Sequence, residues 1–524
     1  MTRFALMTAM LCTSALAVQG PSQSELNDAD NATDSWLMSN KGYMGQRYSP
    51  LDQINSSNVA NLKRVCTFDT GDDGSFQVTP QIYKGVAFIS QGNRSFAIDA
   101  TTCKLLWTNK YTPTGPQVLN TSRGFAIADG VLYRGTGDAH LIAIDAGTGK
   151  TLWDKKVNDS ANGYFLSSAP VAWNGMVFVG EAGADWGVKA KMYAYDAKTG
   201  AQKWNFDMIP TGTQVGADSW KKADSTSTGG GSMWTSYTLD VDKGLLYVSV
   251  GNPAPDFAYQ YRPGANLFTD SVVVLDAATG KLDHYYQQIP NDSKDYDTAA
   301  APVLYDIDGT KHIAVATKAG YLFGYNEATK SQTFKQAVIK VLNQEKNPTA
   351  EGLPICPNYS AGTQWSGPAF KPGANNMVVV NSVDWCGTVK LGEVRLIKGQ
   401  LFFGGAMALN PASEAVGNTV AYDGATGKEL WRYSTPGIRI VGGVTTTGGN
   451  LVLSGAANGT LYALDATTGK VLFKSNIDKA PIGGGVATYT VGGKQYVAVA
   501  AGNTSKGLNG VKNVTSRVAI FTLP

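Results

Sequence analysis

A chain of 524 residues with 16% charged side chains and a formal charge of +3 carries no basic block and no Lys/Arg stripe interleaved with aromatics, which excludes nucleic acid as an expected partner. Its 60 Gly, 11 Trp and 24 Tyr favour a β-rich fold with many tight turns. No run reaches the roughly 20 apolar residues that a membrane helix requires, so no membrane span is expected.

Residues 1–17, "MTRFALMTAMLCTSALA", combine one positive charge at Arg3, a short apolar stretch and an Ala15-Leu16-Ala17 ending. This is the pattern of a cleaved secretory signal, and it implies export. Cys12 follows Leu11, where a lipoprotein signal would carry a small residue, so lipidation is not expected. The remaining residues, 18–524, read as a single domain. They hold four cysteines, Cys66, Cys103, Cys356 and Cys386, an even number that in an exported chain points to two disulfides. Three pairings exist, of which Cys66–Cys103 with Cys356–Cys386 is the local one. A structural zinc site would want Cys-x-x-Cys spacing or more histidine than the three present.

From Ala97 onward a repeat organises the chain. "AIDATTCKLLW" ending at Trp107 returns as "AIDAGTGKTLW" to Trp153, "AYDAKTGAQKW" to Trp204, "AYDGATGKELW" to Trp431 and "ALDATTGKVLF" to Phe473, with looser copies around Asp276 and Asn326. Each copy is an alternating strand, an Asp, a Thr-Gly turn and a strand ending in an aromatic. Seven copies, together with one further blade expected in the long gap between Asn326 and Asp423, predict an all-β, eight-bladed β-propeller with tryptophan-docking repeats. Such repeats bury their faces only against one another. The motif residues are therefore read as structural, and the final "VAIFTLP" as completing a blade with a strand from the amino end. Within "DSKDYDTAA", read as the start of a strand, Asp295 and Asp297 fall on one side and Tyr296 on the other. Two like charges so placed call for a cation.

The repeat, the opening "WLMSNKGYMGQRYSPLDQINSSNVANLKRV", and the internal "GGGSMW" and "VGNPAPD" together resemble the quinoprotein alcohol dehydrogenases, propeller enzymes that use pyrroloquinoline quinone (PQQ). The resemblance runs from Trp36 to the carboxyl end. It implies periplasmic oxidation of a small-molecule alcohol to the aldehyde or ketone, by hydride transfer to PQQ bound to a Ca²⁺ or lanthanide ion, with electrons passed to a soluble c-type cytochrome. Matched residue by residue, it implies Asp295 as the base and Asp185, Asn252, Asp295 and Asp297 as metal ligands. Asp185 is one methylene shorter than the family's Glu, and Glu181 nearby is a weaker alternative, otherwise a solvated loop charge. Asp297 stands where lanthanide-using relatives carry Asp and calcium-using methanol enzymes a small residue. PQQ contacts are implied for Gln77, Arg123, Ser167, Ser232, Trp234, Lys318 and Gln364, with Trp234 as the floor under the quinone. Cys356–Cys386 matches a structural disulfide of the relatives, which agrees with the local pairing.

The departures from the family also carry information. The adjacent cysteines that cover PQQ in better-known relatives are missing, and residues Thr114 to Asn120 should occupy that region. Two upper-cavity tryptophans are replaced near Val441 and Ser505, which implies a more open pocket, larger or secondary alcohols, and no methanol specificity. No Cys-x-x-Cys-His haem motif occurs. The resemblance admits a homodimer without requiring one. The competing readings are a non-catalytic envelope scaffold and a PQQ-dependent sugar or polymer-alcohol dehydrogenase.

Overall fold

The computed structural model describes residues 19–374, 376–504 and 514–524; the signal segment, Cys12 and Ser505 lie outside the described residues. The local reason for strands is visible in the burial pattern. Middle strands such as Met176–Gly180 and Ser271–Asp276 are apolar and buried along nearly their whole length, whereas outer strands such as Gln202–Asp207 expose half their positions but keep Trp204 covered. A strand buried on both faces needs apolar side chains throughout, and one covered on a single face alternates.

The described residues form seven four-stranded sheets, one five-stranded sheet and one three-stranded sheet. Apart from Tyr48–Ser49 and Lys63–Asp69, which join the last two from the amino end, the larger sheets begin in chain order at Gln81–Tyr83, Ala126–Ala128, Val171–Trp173, Thr238–Asp240, Val303–Ile307, Ala369–Lys371, Thr445–Thr447 and Val486–Val491. Consecutive sheets share apolar cores: Tyr133 and Leu141 with Val177 and Tyr193, and Val272 with Ile313 and Phe323, for example. The last sheet packs on the first through Ala487, Ala498 and Ile520 against Ile82, Ala87 and Ile98. Its outer strand is Lys63–Asp69, paired antiparallel with Arg517–Thr522, so the two chain ends are joined in one sheet.

The gap between Asn326 and Asp423 does not contain the additional blade expected there. It holds the outer strand Ser331–Ala337 of one sheet, the first two strands of the next, and the three-stranded sheet Leu353–Ile355, Gly387–Leu391, Gly405–Leu409. The sheet without a repeat motif is the one made from the two chain ends.

Each repeat aspartate ties down its own turn. Asp145 Oδ1 accepts from the Thr148 N–H at 2.7 Å and its hydroxyl at 2.7 Å, and Asp196, Asp276, Asp423 and Asp465 do the same with the threonine three residues on. The terminal tryptophans reach the next copy. Trp107 donates to Ala146 O at 2.9 Å, Trp153 to Ala197, Trp204 to Ala277 and Trp431 to Ala466. Gly149 has φ 74° and a Cβ there would lie 2.6 Å from the Trp107 ring, so both the turn and the indole demand glycine. The disulfides are Cys66–Cys103 and Cys356–Cys386. No helix among the described residues is long and apolar enough to cross a membrane.

Candidate active site

Because neighbouring strands in a sheet run antiparallel, the loop before the first strand and the hairpin between the second and third emerge at one end, and the Asp-Thr-Gly turn at the other. Gln77, Arg123, Ser167, Ser232, Trp234, Asp295, Asp297 and Gln364 lie in the first kind of loop, and Asp185, Asn252 and Lys318 in the hairpins. All of them except Asn252 line one cavity of about 1020 Å³. Asn252 is buried directly behind its wall.

At the centre Lys318 Nζ sits 2.8 Å from Asp295 Oδ1, pairs also with Asp297 Oδ2, and lies 5.5 Å from the centre of the Trp234 ring. Burial alone would lower this lysine, but Asp295, Asp297 and Asp185 hold it well above its ordinary value. Asp297 Oδ1 accepts from the Asn252 N–H at 2.9 Å and from Trp234 Nε1 at 3.3 Å. A Cβ at Gly251 would come within 2.1 Å of that oxygen, so the backbone can approach only as glycine. The segment is not a strand. Residues 292–302 are irregular, the strand begins at Val303, and Asp295 adopts φ 61°, a left-handed conformation that costs a non-glycine residue energy and recurs at functional sites. The two carboxylates nevertheless converge, while the Tyr296 hydroxyl donates to Pro357 O at 2.9 Å. Within the chain, the cation between them is the Lys318 ammonium.

The sequence reading missed Asp256. Oxygen atoms of Asp185, Asp256 and Asp295 lie within 4.8 Å of one another. Both Asp256 oxygens are buried with no hydrogen-bond partner, and burial followed by repulsion from Asp185 and Asp295 raises its pKa well above the carboxylate range. Asp295 is raised well above the same range, chiefly by burial, against the pull of Lys318. Asp185 is pushed up to about 6 by burial and by Asp297, with Lys318 and the Asn252 amide working the other way. A buried carboxylate without partners is tolerated as an acid or beside a cation. The only trace of Asp256 in the sequence was its place in "VGNPAPD".

Asp297 lies outside this three-carboxylate group. Glu181 lies outside that group as well, and it is not solvated. It is fully buried, accepts from Asn158 Nδ2 at 2.6 Å, Tyr193 OH at 3.0 Å and the Lys191 N–H at 2.8 Å, and burial pushes it up to about 7.

Around this centre, Arg123 is buried over the Trp234 ring at 4.6 Å and donates to Ser167 Oγ at 2.9 Å and Trp234 O at 2.7 Å. Burial lowers it to about 9, still cationic at neutral pH. Its Nε and the Gln77 Oε1 are buried without partners. Gln77 otherwise donates to Thr504 O, Gln364 donates to Ala361 O, and Ser232 contributes to the wall. The segment Thr114 to Asn120 does border the cavity through Leu119 and Asn120. It is held by Asp138, whose Oδ2 accepts from Tyr111 OH at 3.0 Å and the Thr114 N–H at 2.9 Å, and by Gln117 donating to Asn93 at 2.6 Å. Val441 does not reach the wall; it is buried in a cluster with Trp365 and Trp385. Aromatic bulk at the cavity comes instead from Phe165, Trp186, Tyr359, Trp365 and Phe403.

Residues 36–335 match the family described as "Glucose/ethanol/alcohol dehydrogenase, beta-propeller domain". Quinohemoprotein alcohol dehydrogenase ADH IIB of Pseudomonas putida is 30% identical over 572 residues, covering 98% of this chain and 81% of that one. The chain belongs to the PQQ-dependent alcohol dehydrogenase family. Like the other members, it is an oxidoreductase. Quinoprotein alcohol dehydrogenase PedH of Pseudomonas putida is also 30% identical, over 88% of this chain and 85% of the relative. A europium-containing methanol dehydrogenase superposes with a TM-score of 0.86 at 26% identity, covering 95% of this chain and 100% of the other. Residues 416–513 separately match outer membrane protein assembly factor BamB.

The residues present suit the cofactor this family uses. A partly exposed indole floor, a guanidinium and an ammonium over it, and unpartnered polar atoms on Arg123 and Gln77 fit a planar, polycarboxylated ring system. Three clustered carboxylates, one with both oxygens unpartnered, fit a hard cation that prefers oxygen ligands.

Proposed function

We propose that the chain oxidises an alcohol at this cavity, with Asp295 taking the hydroxyl proton, and that the larger sheets are the eight blades of a closed propeller, docked by their tryptophans. The observation that carries the activity is the convergence of Asp185, Asp295, Lys318 and Trp234 on one cavity, with the buried Asp256 grouped against Asp185 and Asp295. When bound, PQQ supplies the two-electron acceptor and the cation supplies Lewis acidity. Trp234 would support the ring, Arg123 would pair with a ring carboxylate, and Ser167, Ser232, Gln77 and Gln364 would hold its edge. Lys318 hydrogen-bonds to Asp295 and so orients it. A cation beside Asp295 opposes the rise that burial imposes and keeps the base ionised.

Asp185, Asp256 and Asp295 with Asn252 would hold the ion. Asp297 would join them if its pair with Lys318 opened, and that surplus of anionic oxygen would favour a lanthanide over Ca²⁺. The leader expected at residues 1–17 supports a periplasmic location, and an external c-type cytochrome is the proposed electron acceptor. A scaffold role is disfavoured because a scaffold has no need to bring Asp185 from the loops of one sheet, and Asp295, Asp297 and Lys318 from those of another, to one cavity.

Dye reduction by ethanol, measured on protein loaded with PQQ and either Ca²⁺ or La³⁺, tests the reading. Turnover that requires both the cofactor and the cation supports it, with the faster rate expected for La³⁺. No turnover with either ion would refute it.

A further inference from the structure

Resting on the activity proposed above, we infer that the loop 392–404 extends the alcohol site into an apolar surface for the hydrocarbon body of the substrate. The alcohols best used are then long straight-chain ones rather than sugars. The loop joins two strands of the inserted three-stranded sheet, Gly387–Leu391 and Gly405–Leu409, and folds over the rim of the cavity. Its Phe402 N–H donates to the backbone oxygen of Asp185 at 2.6 Å, and its Phe403 carbonyl accepts from the Phe257 N–H at 2.9 Å. Phe402 is buried and Phe403 lines the cavity. Leu396 Cδ1 and Phe402 Cδ1 lie 3.0 and 2.9 Å from where a Cβ on Gly187 would stand, next to Trp186, which lines the cavity and meets Phe165 edge-on at 5.6 Å.

Apolar groups therefore reach from Phe165, Trp186 and Phe403 at the cavity, by way of Gly187, to Phe402 and Leu396 in the loop. On the outer part of the loop Val394, Leu396, Ile397 and Leu401 are 37, 44, 39 and 51% exposed. Of 13 exposed large apolar residues among those described, four fall in this one loop, interleaved with the exposed Glu393, Arg395 and Lys398, a local concentration of apolar surface with charged groups beside it. Leu119, 42% exposed, borders the same cavity from another loop. The rim formed by Asp72, Asp73, Ser75 and Asn503 is polar. A hydroxyl at Asp295 with an aliphatic tail along Trp186 and Leu396 removes apolar surface from water on both molecules. A sugar would leave the loop bare.

The test is a series of straight-chain primary alcohols from ethanol to decanol on the enzyme loaded with PQQ and cation, with a dye as acceptor. It is joined by titration of the tryptophan fluorescence with methyl decyl ether, which cannot be oxidised. For members long enough to reach the loop, kcat/KM is expected to rise about fourfold per added methylene. In the double variant Leu396→Ser, Leu401→Ser the ratio of decanol to ethanol kcat/KM is expected to fall at least tenfold, and the ether to bind correspondingly more weakly. A flat series in the natural protein, or an unchanged ratio and unchanged ether binding in the variant, overturns the inference while leaving alcohol oxidation standing. An unchanged ratio with a raised KM for a c-type cytochrome would also overturn it, by making the loop a protein interface. If no alcohol is oxidised the proposed activity fails, and the ether titration still decides the loop: no binding, or binding equal in the variant, overturns it.

Discussion

At one end of the sheets every repeat aspartate is answered by its own turn; at the other, aspartates face one another across a cavity. Asp196 accepts from Thr199 twice and sits beside Lys203, and these bonds lower it to about 2. Asp256, with no hydrogen-bond partner at all, is raised well above the carboxylate range. The same residue type thus closes a structure in one place and leaves one incomplete in the other. The incompleteness marks where a ligand belongs.

The comparison can be broken most directly at its centre. Asp295→Asn is expected to lower kcat by roughly 10²- to 10⁴-fold, the range for loss of a general base, as measured by ethanol-dependent dye reduction. Lys318→Met leaves Asp295 and Asp297 uncompensated, which should cost about 3–5 kcal/mol in urea unfolding. Added La³⁺ should recover part of that loss if the carboxylates hold a cation. Trp204→Ala, at the opposite end, should cost about 3 kcal/mol of stability with kcat per folded molecule unchanged.

Glu181 sharpens the contrast through pH. Its folded pKa, about 7, lies above the ordinary 4.5, so the unfolded chain releases this proton first. Stability should then fall as pH rises through that window, by up to about 3 kcal/mol. Thermal melts across it should show the slope, and Glu181→Gln should remove it. Smallest of all, Asp196→Ala should cost about 1 kcal/mol. Because the Asp196 pKa is depressed, its contribution is present above the ordinary 3.8 and disappears toward about 2; unfolding monitored with and without cation should show no difference.

The repeat was legible because its information is local: an Asp, a threonine hydroxyl three residues on, a glycine and an aromatic lie within one short window. The cavity residues from Gln77 to Gln364 were legible only through the resemblance, since nothing local ties one loop to another. Asp256 escaped because a single Asp in an irregular loop has no periodicity, and its meaning depends on Asp185 and Asp295 folding against it. The strand expected at Asp295 failed because the left-handed backbone there interrupts the alternation on which that reading relied. The inserted three-stranded sheet was mistaken for a blade because a gap gives length without pairing.

The central claim, that these carboxylates hold a cation under a cofactor-sized cavity, is tested most directly by Tb³⁺ luminescence excited through tryptophan, since Trp234 borders the site. One saturable site is predicted, displaced by La³⁺ or Ca²⁺, weakening as pH falls and Asp256, Asp295 and Asp185 take up protons, and lost in the double variant Asp185→Asn, Asp256→Asn. Emission that never saturates, or that survives both substitutions unchanged, would contradict it.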